Sequence, residues 1–382
     1  MKSILIIAFN DLNHDARVNR QINFLKDTYQ VSVASFGHTP IQNINTISLK
    51  RVKPSLSDKL LGGIALLLRW HSLAYKIIYN QSQYLRLLSG KHYDLIIAND
   101  IETLPLALEL SNGNKVLFDA HEYAPRHFED KLMWRIFFSR FNQFLCREYL
   151  PKVDAMLTVG NGLANEYAKH FPVQPTVLTN ANYYSPLVPT ATDTRKIKLV
   201  HHGAANPSRQ LELMIEAVNM LDDRFTLDLI LLTPSIANKK TRNYLVKLKR
   251  LIESNSRIRI IPPVKSNEVI SLIHQYDVGI FLLPPINFNY KNTLPNKLFD
   301  FVQARLAIVV GPTPEMASLV NEHDLGLVSS DFTAKSFGST LGQLTHEKID
   351  YFKSKSDAAA RKLSAENNKL ILNKIVADLI AE

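Results

Sequence analysis

Short, continuous apolar runs recur along this chain, each closed by polar residues and most followed by a stretch of helical spacing. In the first half they are Ser3 to Phe9, Val31 to Phe36, Asp94 to Ala98, Lys115 to Asp119 and Ala155 to Val159. In the second half they are Lys198 to His202, Leu227 to Leu232, Ile258 to Ile261, Val278 to Leu283 and Ala307 to Val310. Apolar runs without polar alternation are what strands buried on both faces require, and such strands belong to parallel sheets covered by helices. Between them, Asp15 to Lys26 places Val18, Ile22 and Leu25 on one helical face. Leu60 to Leu88 reads as one or two helices, softly broken near Gly62–Gly63, and Leu132 to Leu150 as one long helix. The alternation predicts an open, doubly wound α/β sheet.

At 382 residues the chain exceeds the size at which one core stops growing, about 250–300 residues. The alternation lapses once, in YYSPLVPTATDTR, where two prolines and small polar residues replace periodicity. The expected organisation is an N-terminal Rossmann-like domain over 1–185, a linker over 186–196, a second Rossmann-like domain over 197–352 and a C-terminal helix over 353–382. Two such domains would face a cleft, with ligands beyond the carboxyl ends of the strands.

Composition narrows the class. The only cysteine, Cys146, excludes an intrachain disulfide and a thiolate-rich metal site, and fits a reducing, cytoplasmic compartment. The net charge of +10 calls for an anionic partner, whether nucleic acid, acidic lipid or a phosphorylated substrate. Its excess is local. Lys50 to Lys91 carries eight basic residues, Lys53 among them, against Asp58 alone, a net +7. Lys239 to Arg259 carries eight against Glu253, again +7. No nucleic-acid recognition motif accompanies either patch, so nucleic acid is not expected. The apolar start MKSILIIAFND lacks a signal-peptide cleavage pattern. The next apolar stretch, Leu60 to Leu68, ends at Arg69, well short of the roughly 20 residues that span a bilayer. Trp70, Arg69, Lys76, Arg86 and Lys91 on the 50–91 segment fit a peripheral helix on an anionic membrane surface, and equally an ordinary helix with a solvated basic face.

Polar residues gather at strand ends: Asn10 and Asp11, Asn99 and Asp100, His121 and Glu122, Gly203 and Arg209. Any one of these could be a cap or turn residue. Together they mark the edge at which doubly wound sheets bind ligands. His201 and His202 alternate across a strand, so at most one faces a ligand and the other is a neutral supporting histidine. No phosphate-binding GxxxxGK[ST] loop, complete GxGxxG, HExxH or CxxC is present, and no metal is expected.

The most specific stretch is Tyr290 to Met316, YKNTLPNKLFDFVQARLAIVVGPTPEM. It resembles the donor-binding segment of glycosyltransferase family 4, through Leu294, Pro295, Asn296, Lys297, Leu298, Phe299, Asp300 and Phe301 and then Ala307 to Val310. NDLNHDARVNRQ (10–21), ANDIETLPLA (98–107), FDAHEY (118–123) and VHHGAANPSRQLELMIEA (200–217) are similar to further motifs of that family in the same order. The resemblance implies a GT-B fold with the C-terminal helix packed back on the N-terminal domain. It implies a retaining, metal-independent glycosyltransferase of bacterial surface-polysaccharide type. Such an enzyme would move a sugar from a nucleotide donor, UDP-linked, to a glycan or lipid-linked glycan.

On that resemblance His121, Asn292 and Asp100 are catalytic candidates. Gly203, Arg209, Lys297, Asp300, Val264, Lys265, Leu294, Pro295 and Asn296 bind the donor, and Asn10, Asp11, Arg17 and Glu122 lie on the acceptor side. The residues have a physical reading of their own. A departing pyrophosphate needs cations and free backbone N–H groups in a dry site. Arg209 offers a planar fork, and Lys297 an ammonium near a helix start whose dipole favours anions. Asp300 would accept from ribose hydroxyls, and Val264 and Lys265 would touch the base. The chain also departs from the family's Glu-x7-Glu pair, with Asn292 and Asp300 at those positions. Arg305 and Ala307 replace a Gly-x-Pro turn, placing an extra charge near the site, and Asn10–Asp11 replaces a glycine pair. These departures leave open a non-catalytic nucleotide-sugar-binding or scaffold protein, and a nucleotide-sugar epimerase of the same architecture.

Overall fold

Each apolar run read as a strand is one. The computed structural model describes residues 1–51, 55–232 and 239–381, and only the backbone at His14, Lys239 and Lys240. Lys53 and the side chains of Lys239 and Lys240, counted in the two basic clusters, therefore lie outside the described residues. The chain divides into two compact units. One comprises Met1–Thr179, Asn287–Asn289 and the chain from Asn368, and the other Asn180–Ile286 and Tyr290–Asn367.

The first unit is built on a seven-stranded parallel sheet of β1 (Ser3–Ala8), β2 (Gln30–Ser35), β3 (Asn45–Ser48), β4 (Leu95–Asn99), β5 (Lys115–Ala120), β6 (Ala155–Thr158) and β7 (Thr176–Val177). Its order is β3-β2-β1-β4-β5-β6-β7. The chain winds outward from β1 in one direction and from β4 in the other, so the switch point falls between these two strands. Ile4, Leu5, Ile6 and Ile7 of β1 and Leu95, Ile96 and Ile97 of β4 have no exposed surface. That is why these strands read as unbroken apolar runs. The edge strands β3 and β7 are short and half-exposed, and carry no such signal.

The second unit holds a six-stranded parallel sheet of β8 (Ile197–Ala204), β9 (Phe225–Leu232), β10 (Ile258–Ile261), β11 (Val278–Phe281), β12 (Ala307–Val310) and β13 (Gly326–Val328). Its order, β10-β9-β8-β11-β12-β13, puts the switch point between β8 and β11. No helix or strand forms from 178 to 196. This stretch is nevertheless held down: the Lys353 ammonium donates to the Thr190 carbonyl at 3.0 Å, and the Thr192 N–H donates to Asp350 at 3.0 Å.

Three helical expectations change. Leu60 to Leu88 lies within three helices, Leu56–Leu67, His71–Ile78 and Gln81–Leu88. Gly62 and Gly63 sit inside the first of them; the breaks fall at Arg69 and Asn80, whose φ values are +60° and +48°. Leu132 to Leu150 is interrupted by a π-helical segment, Arg135–Ser139. The tail is two helices, His346–Ala359 and Ala365–Ala381, and the second belongs to the first unit from Asn368 onward, burying Leu372, Val376 and Leu379.

Arg305 departs from expectation in its role. The helix Asn296–Gln303 ends with Arg305 at φ +59°. The Leu306 N–H returns to the Phe301 carbonyl and the Arg305 N–H to the Val302 carbonyl, each at 3.0 Å. This is the Schellman closure in which glycine is usual. A side chain in the left-handed region costs roughly 1–2 kcal/mol, and the buried guanidinium offsets it. Arg305 Nε meets Asp357 at 2.6 Å, and its two terminal nitrogens donate to the carbonyls of Gln303 at 2.7 Å and Ser185 at 2.8 Å. Its charge is answered by Asp357 instead of being offered to a ligand. Replacing Arg305 by alanine leaves those buried carbonyls without donors, at about 1–3 kcal/mol each at most. The midpoint of urea unfolding should fall accordingly, while affinity for anions at the site described next stays unchanged.

Candidate functional site

In the second unit the site forms at the carboxyl end of β8, beside the switch point. Gly203 has φ +135°, and a Cβ there would lie 3.2 Å from both Arg209 Nη1 and Lys297 Nζ. The two cations expected to hold a pyrophosphate thus converge on one glycine, whose missing side chain leaves room for their approach. Arg209 stands on a short helical turn, Pro207–Arg209, started by the Asn206 side chain accepting from the Ser208 N–H at 3.1 Å. The Ser208 hydroxyl is tied to the Tyr290 hydroxyl at 2.8 Å.

Lys297 lies in the first turn of Asn296–Gln303. Pro295 at the N-cap supplies a fixed extended entry and no side-chain cap, so the first-turn N–H groups keep their anion affinity. Apolar residues bury Leu298, Phe299, Phe301 and Val302 of the same helix and draw Lys297 inward with them. Its ammonium sits 3.7 Å from the centre of the Phe281 ring and 3.5 Å from His201 Nε2. Among the described residues no carboxylate comes within ion-pair distance of it. Burial and the neighbouring Arg209 push its pKa well below the ordinary lysine range.

Both histidines of the strand are neutral. His201 is fully buried, and Nδ1 faces the Ile280 carbonyl at 3.0 Å. A proton there leaves Nε2 to accept from Lys297. His202 is held down to about 3 by burial and by the charges of Lys297 and Arg209. Its ring lies 3.5 Å from Asp300 Oδ2, and the Asn182 amide donates to Asp300 Oδ1 at 3.3 Å. The Asn182 amide thus orients Asp300, while the neutral His202 ring lies against it without a hydrogen bond.

The other expected donor residues have different surroundings. Leu294 is buried in the core, Pro295 is the cap and Asn296 is exposed at the first helical position. Asn292 is nearly buried. Val264 and Lys265 follow β10, two strands from β8, and the Lys265 N–H donates to Glu268 at 3.3 Å.

In the first unit the ends of β4 and β5 meet. His121 Nε2 lies 3.1 Å from Asn99 Oδ1, and Nδ1 lies 3.2 Å from Asp100 Oδ2. The His121 N–H also donates to Asp100 Oδ1 at 3.0 Å, which holds Asp100 at φ +62°. Beneath them Asp119 is fully buried. Arg17 grips it with two parallel bonds, Nε to Oδ2 at 2.8 Å and Nη2 to Oδ1 at 2.6 Å, and Gln21 donates to it as well. Arg17 is therefore turned inward beneath the ligand-binding edge of the sheet.

Glu122 pairs with His127 Nε2 at 2.7 Å, and its neighbour Tyr123 donates its N–H to Asn289 Oδ1 at 2.8 Å. Asn10 donates to Asp15 at 3.1 Å, and Asp11 accepts from the Asn13 N–H at 3.1 Å, so both also serve local turns. Sequence reasoning passed over Asp119, Gln21, His127 and Asn289, and the Phe281 ring under Lys297. Asp119 had a signal: a lone carboxylate in an apolar run must be paired. Phe281 lies inside the apolar run Val278 to Leu283 and had none.

No protein-family model and no curated protein sequence matches the chain. Solved structures do. HepE of Anabaena in complex with UDP is 13% identical, with 99% of this chain and 100% of that one covered at TM-score 0.69. Sucrose-phosphate synthase of Thermosynechococcus elongatus is 11% identical, with both chains covered in full at TM-score 0.73. WaaG, a glycosyltransferase involved in lipopolysaccharide biosynthesis, is 11% identical, with 97% and 99% covered at TM-score 0.66. With its parallel sheets of seven and six strands, the chain has the GT-B fold of these glycosyltransferases.

Two outcomes follow from this geometry. Lys297→Met removes an uncompensated buried charge, so the free protein should melt at the same temperature or higher. Its affinity for inorganic pyrophosphate, read by calorimetry, should fall by about tenfold or more, the worth of a charge-assisted bond of roughly 1.5–3 kcal/mol. In the parent protein that affinity should weaken as pH rises, because the ammonium loses its proton below the ordinary lysine range. The effect on stability has the opposite sign: the unfolded chain holds this proton more tightly, so the residue destabilises the fold most at low pH and least in alkali. Asp119→Asn breaks a buried ion pair and should lower unfolding stability by about 3–5 kcal/mol, seen in chemical denaturation.

Proposed function

We propose that the protein transfers a sugar from a nucleotide-sugar, UDP-linked, to a hydroxyl of a glycan or lipid-linked glycan, with retention of configuration and without a metal. The observation that carries this reading is the convergence of Arg209 and Lys297 on Gly203, beside a helix start without a side-chain cap. Such a site meets the charge that develops on a leaving pyrophosphate. Support for the donor comes from the likeness to HepE, whose structures hold UDP and UDP-glucose, and to an α,α-trehalose-phosphate synthase described as UDP-forming.

The reaction would proceed on one face of the sugar. The bond from the anomeric carbon to the phosphate oxygen breaks and the bond to the acceptor oxygen forms. The acceptor proton passes to the departing phosphate. The protein's share is then positioning and charge stabilisation. Asp300, oriented by Asn182, would accept from the ribose hydroxyls. Asn292 would hydrogen-bond the sugar or phosphate without adding charge. His121 and Asp100 would supply polar contacts to the transferred sugar. The basic, apolar segment over 50–91 fits work on lipid-linked acceptors at the cytoplasmic face of a membrane, in surface-polysaccharide synthesis.

The test is nucleotide release from a panel of UDP-, GDP- and CMP-sugars, with and without EDTA. UDP release insensitive to EDTA is expected, with kcat/KM at least about tenfold lower in Arg209→Ala and Lys297→Ala. Unchanged turnover in those variants overturns the site, and loss of activity in EDTA overturns the metal-free route. Asn292, uncharged where the resemblance expects a glutamate, favours one second reading, a nucleotide-sugar-binding scaffold. Tight UDP binding with no transfer to any acceptor is its signature.

A further inference from the structure

We infer that the first unit docks on an anionic lipid bilayer through an apolar surface made by two neighbouring stretches, 56–73 and 131–140. The inference is independent of the sugar-transfer reading. It extends the peripheral segment expected at 50–91 to a different set of residues, because much of that segment is core: Ala74, Tyr75, Tyr84 and Leu88 are buried.

The helix Leu56–Leu67 is apolar on both sides. Gly62, Ala65 and Leu66 face the unit's core. Leu56, Leu60, Leu61, Ile64 and Leu67 face outward, with Leu56 85% and Leu60 65% exposed. At 3.6 residues per turn these outward leucines and Ile64 cover roughly 140° of the helix circumference. A helix that is apolar all round is normally enclosed on every side. The exposure continues through Leu68, Trp70 and Leu73. The segment Arg135–Ser139 packs against this helix, and beside it Leu132, Met133 and Ile136 are also exposed, Met133 by 63%. The chain has two tryptophans, Trp70 and Trp134, and both stand in these stretches, as expected of rings at a membrane interface. Exposed apolar side chains thus cluster on two stretches that pack together, the pattern that marks an interaction site.

Charge decides what covers it. Lys59, Arg69, Lys76, Lys131, Arg135 and Arg140 are all exposed around the apolar residues. The nearby carboxylates are occupied: Asp58 in the capping box with Ser55, Glu129 by Arg126 at 2.6 Å, and Asp130 by Asn287 at 3.0 Å. A basic rim would repel its own copy in a symmetric dimer. On anionic lipid it meets opposite charge while leucines enter the acyl boundary.

The experiment uses the full chain and vesicles of phosphatidylcholine, alone or mixed with phosphatidylglycerol, read by co-sedimentation and tryptophan emission without any donor present. Binding to the anionic vesicles with a blue shift of emission is expected, weakening with salt. Leu60→Glu with Leu67→Glu should cut partitioning about tenfold or more; both side chains are exposed, and an unchanged far-ultraviolet circular dichroism spectrum and urea-unfolding curve report that this variant folds. Lys131→Glu with Arg135→Glu should remove most of the salt-sensitive part. The inference is overturned by absence of binding to anionic vesicles at low salt, or by binding that the leucine variant leaves intact. Self-association in ultracentrifugation that the leucine variant abolishes, without lipid binding, would assign the surface to a second copy. Failure of sugar transfer would leave all of these readings standing.

Discussion

A buried ammonium that, among the described residues, no carboxylate reaches at ion-pair distance is an unfavourable resting state that Asp300 only partly relieves, and the second unit is arranged to keep one. Lys297 enters the interior because its helix neighbours Leu298, Phe299 and Phe301 are core residues, so its position follows from packing. Most proteins would answer such a charge with an acid. Here the partners are the face of Phe281 and the lone pair of a neutral His201, which soften the cost without cancelling the charge. Arg209 adds a second cation, and the glycine between them removes the side chain that would keep ligand atoms away. A site that is electrostatically unfinished without an anion gains most when one arrives. The stability given up in the free protein becomes binding free energy for the ligand.

The first unit resolves the same difficulty the other way. Asp119 is as buried as Lys297, but Arg17 and Gln21 saturate it. His121 Nε2 lies 3.8 Å from the same carboxylate. The same strand end holds Asp100 in a left-handed conformation by two bonds from His121. Rigid polar clusters of this kind fix side-chain direction and offer little net charge. The two units thus differ in kind: one gathers two cations at a strand end, the other an oriented set of paired groups.

Much of this was legible before any coordinates, and the pattern of what was missed has a physical cause. Strands buried on both faces announce themselves by composition alone, so β1, β4, β8 and β11 were readable, whereas the short, half-exposed β3, β7 and β13 were not. Helix breaks were misplaced because glycine was taken as the signal, while the turns use Arg69 and Asn80 in left-handed conformations that tertiary contacts enforce. Gly203 and Arg209 stand out in the sequence because they follow a strand, and Lys297 and Asp300 because they match a motif. Phe281, His201 and Asn182 act through contacts between segments far apart in sequence. No local pattern encodes such contacts.

Arg305 and Asn292 show how far a departure from a family pattern can be interpreted from residue type alone. Both looked like changes to the chemistry. Arg305 is a change to the scaffold: it completes a helix terminus where glycine is usual, and its guanidinium ties that terminus to Asp357 and to the Ser185 carbonyl. A charged residue can therefore replace glycine next to a ligand site without altering the site's field, provided its charge is spent inside the fold. Asn292 is a different case: it sits three residues ahead of the cap Pro295, outside the helix that carries Lys297 and Asp300, and is itself nearly buried. An amide there lowers the negative charge near the two cations, and so leaves the site more attractive to an anion than a glutamate would. On electrostatic grounds the substitution favours tight retention of a phosphorylated ligand.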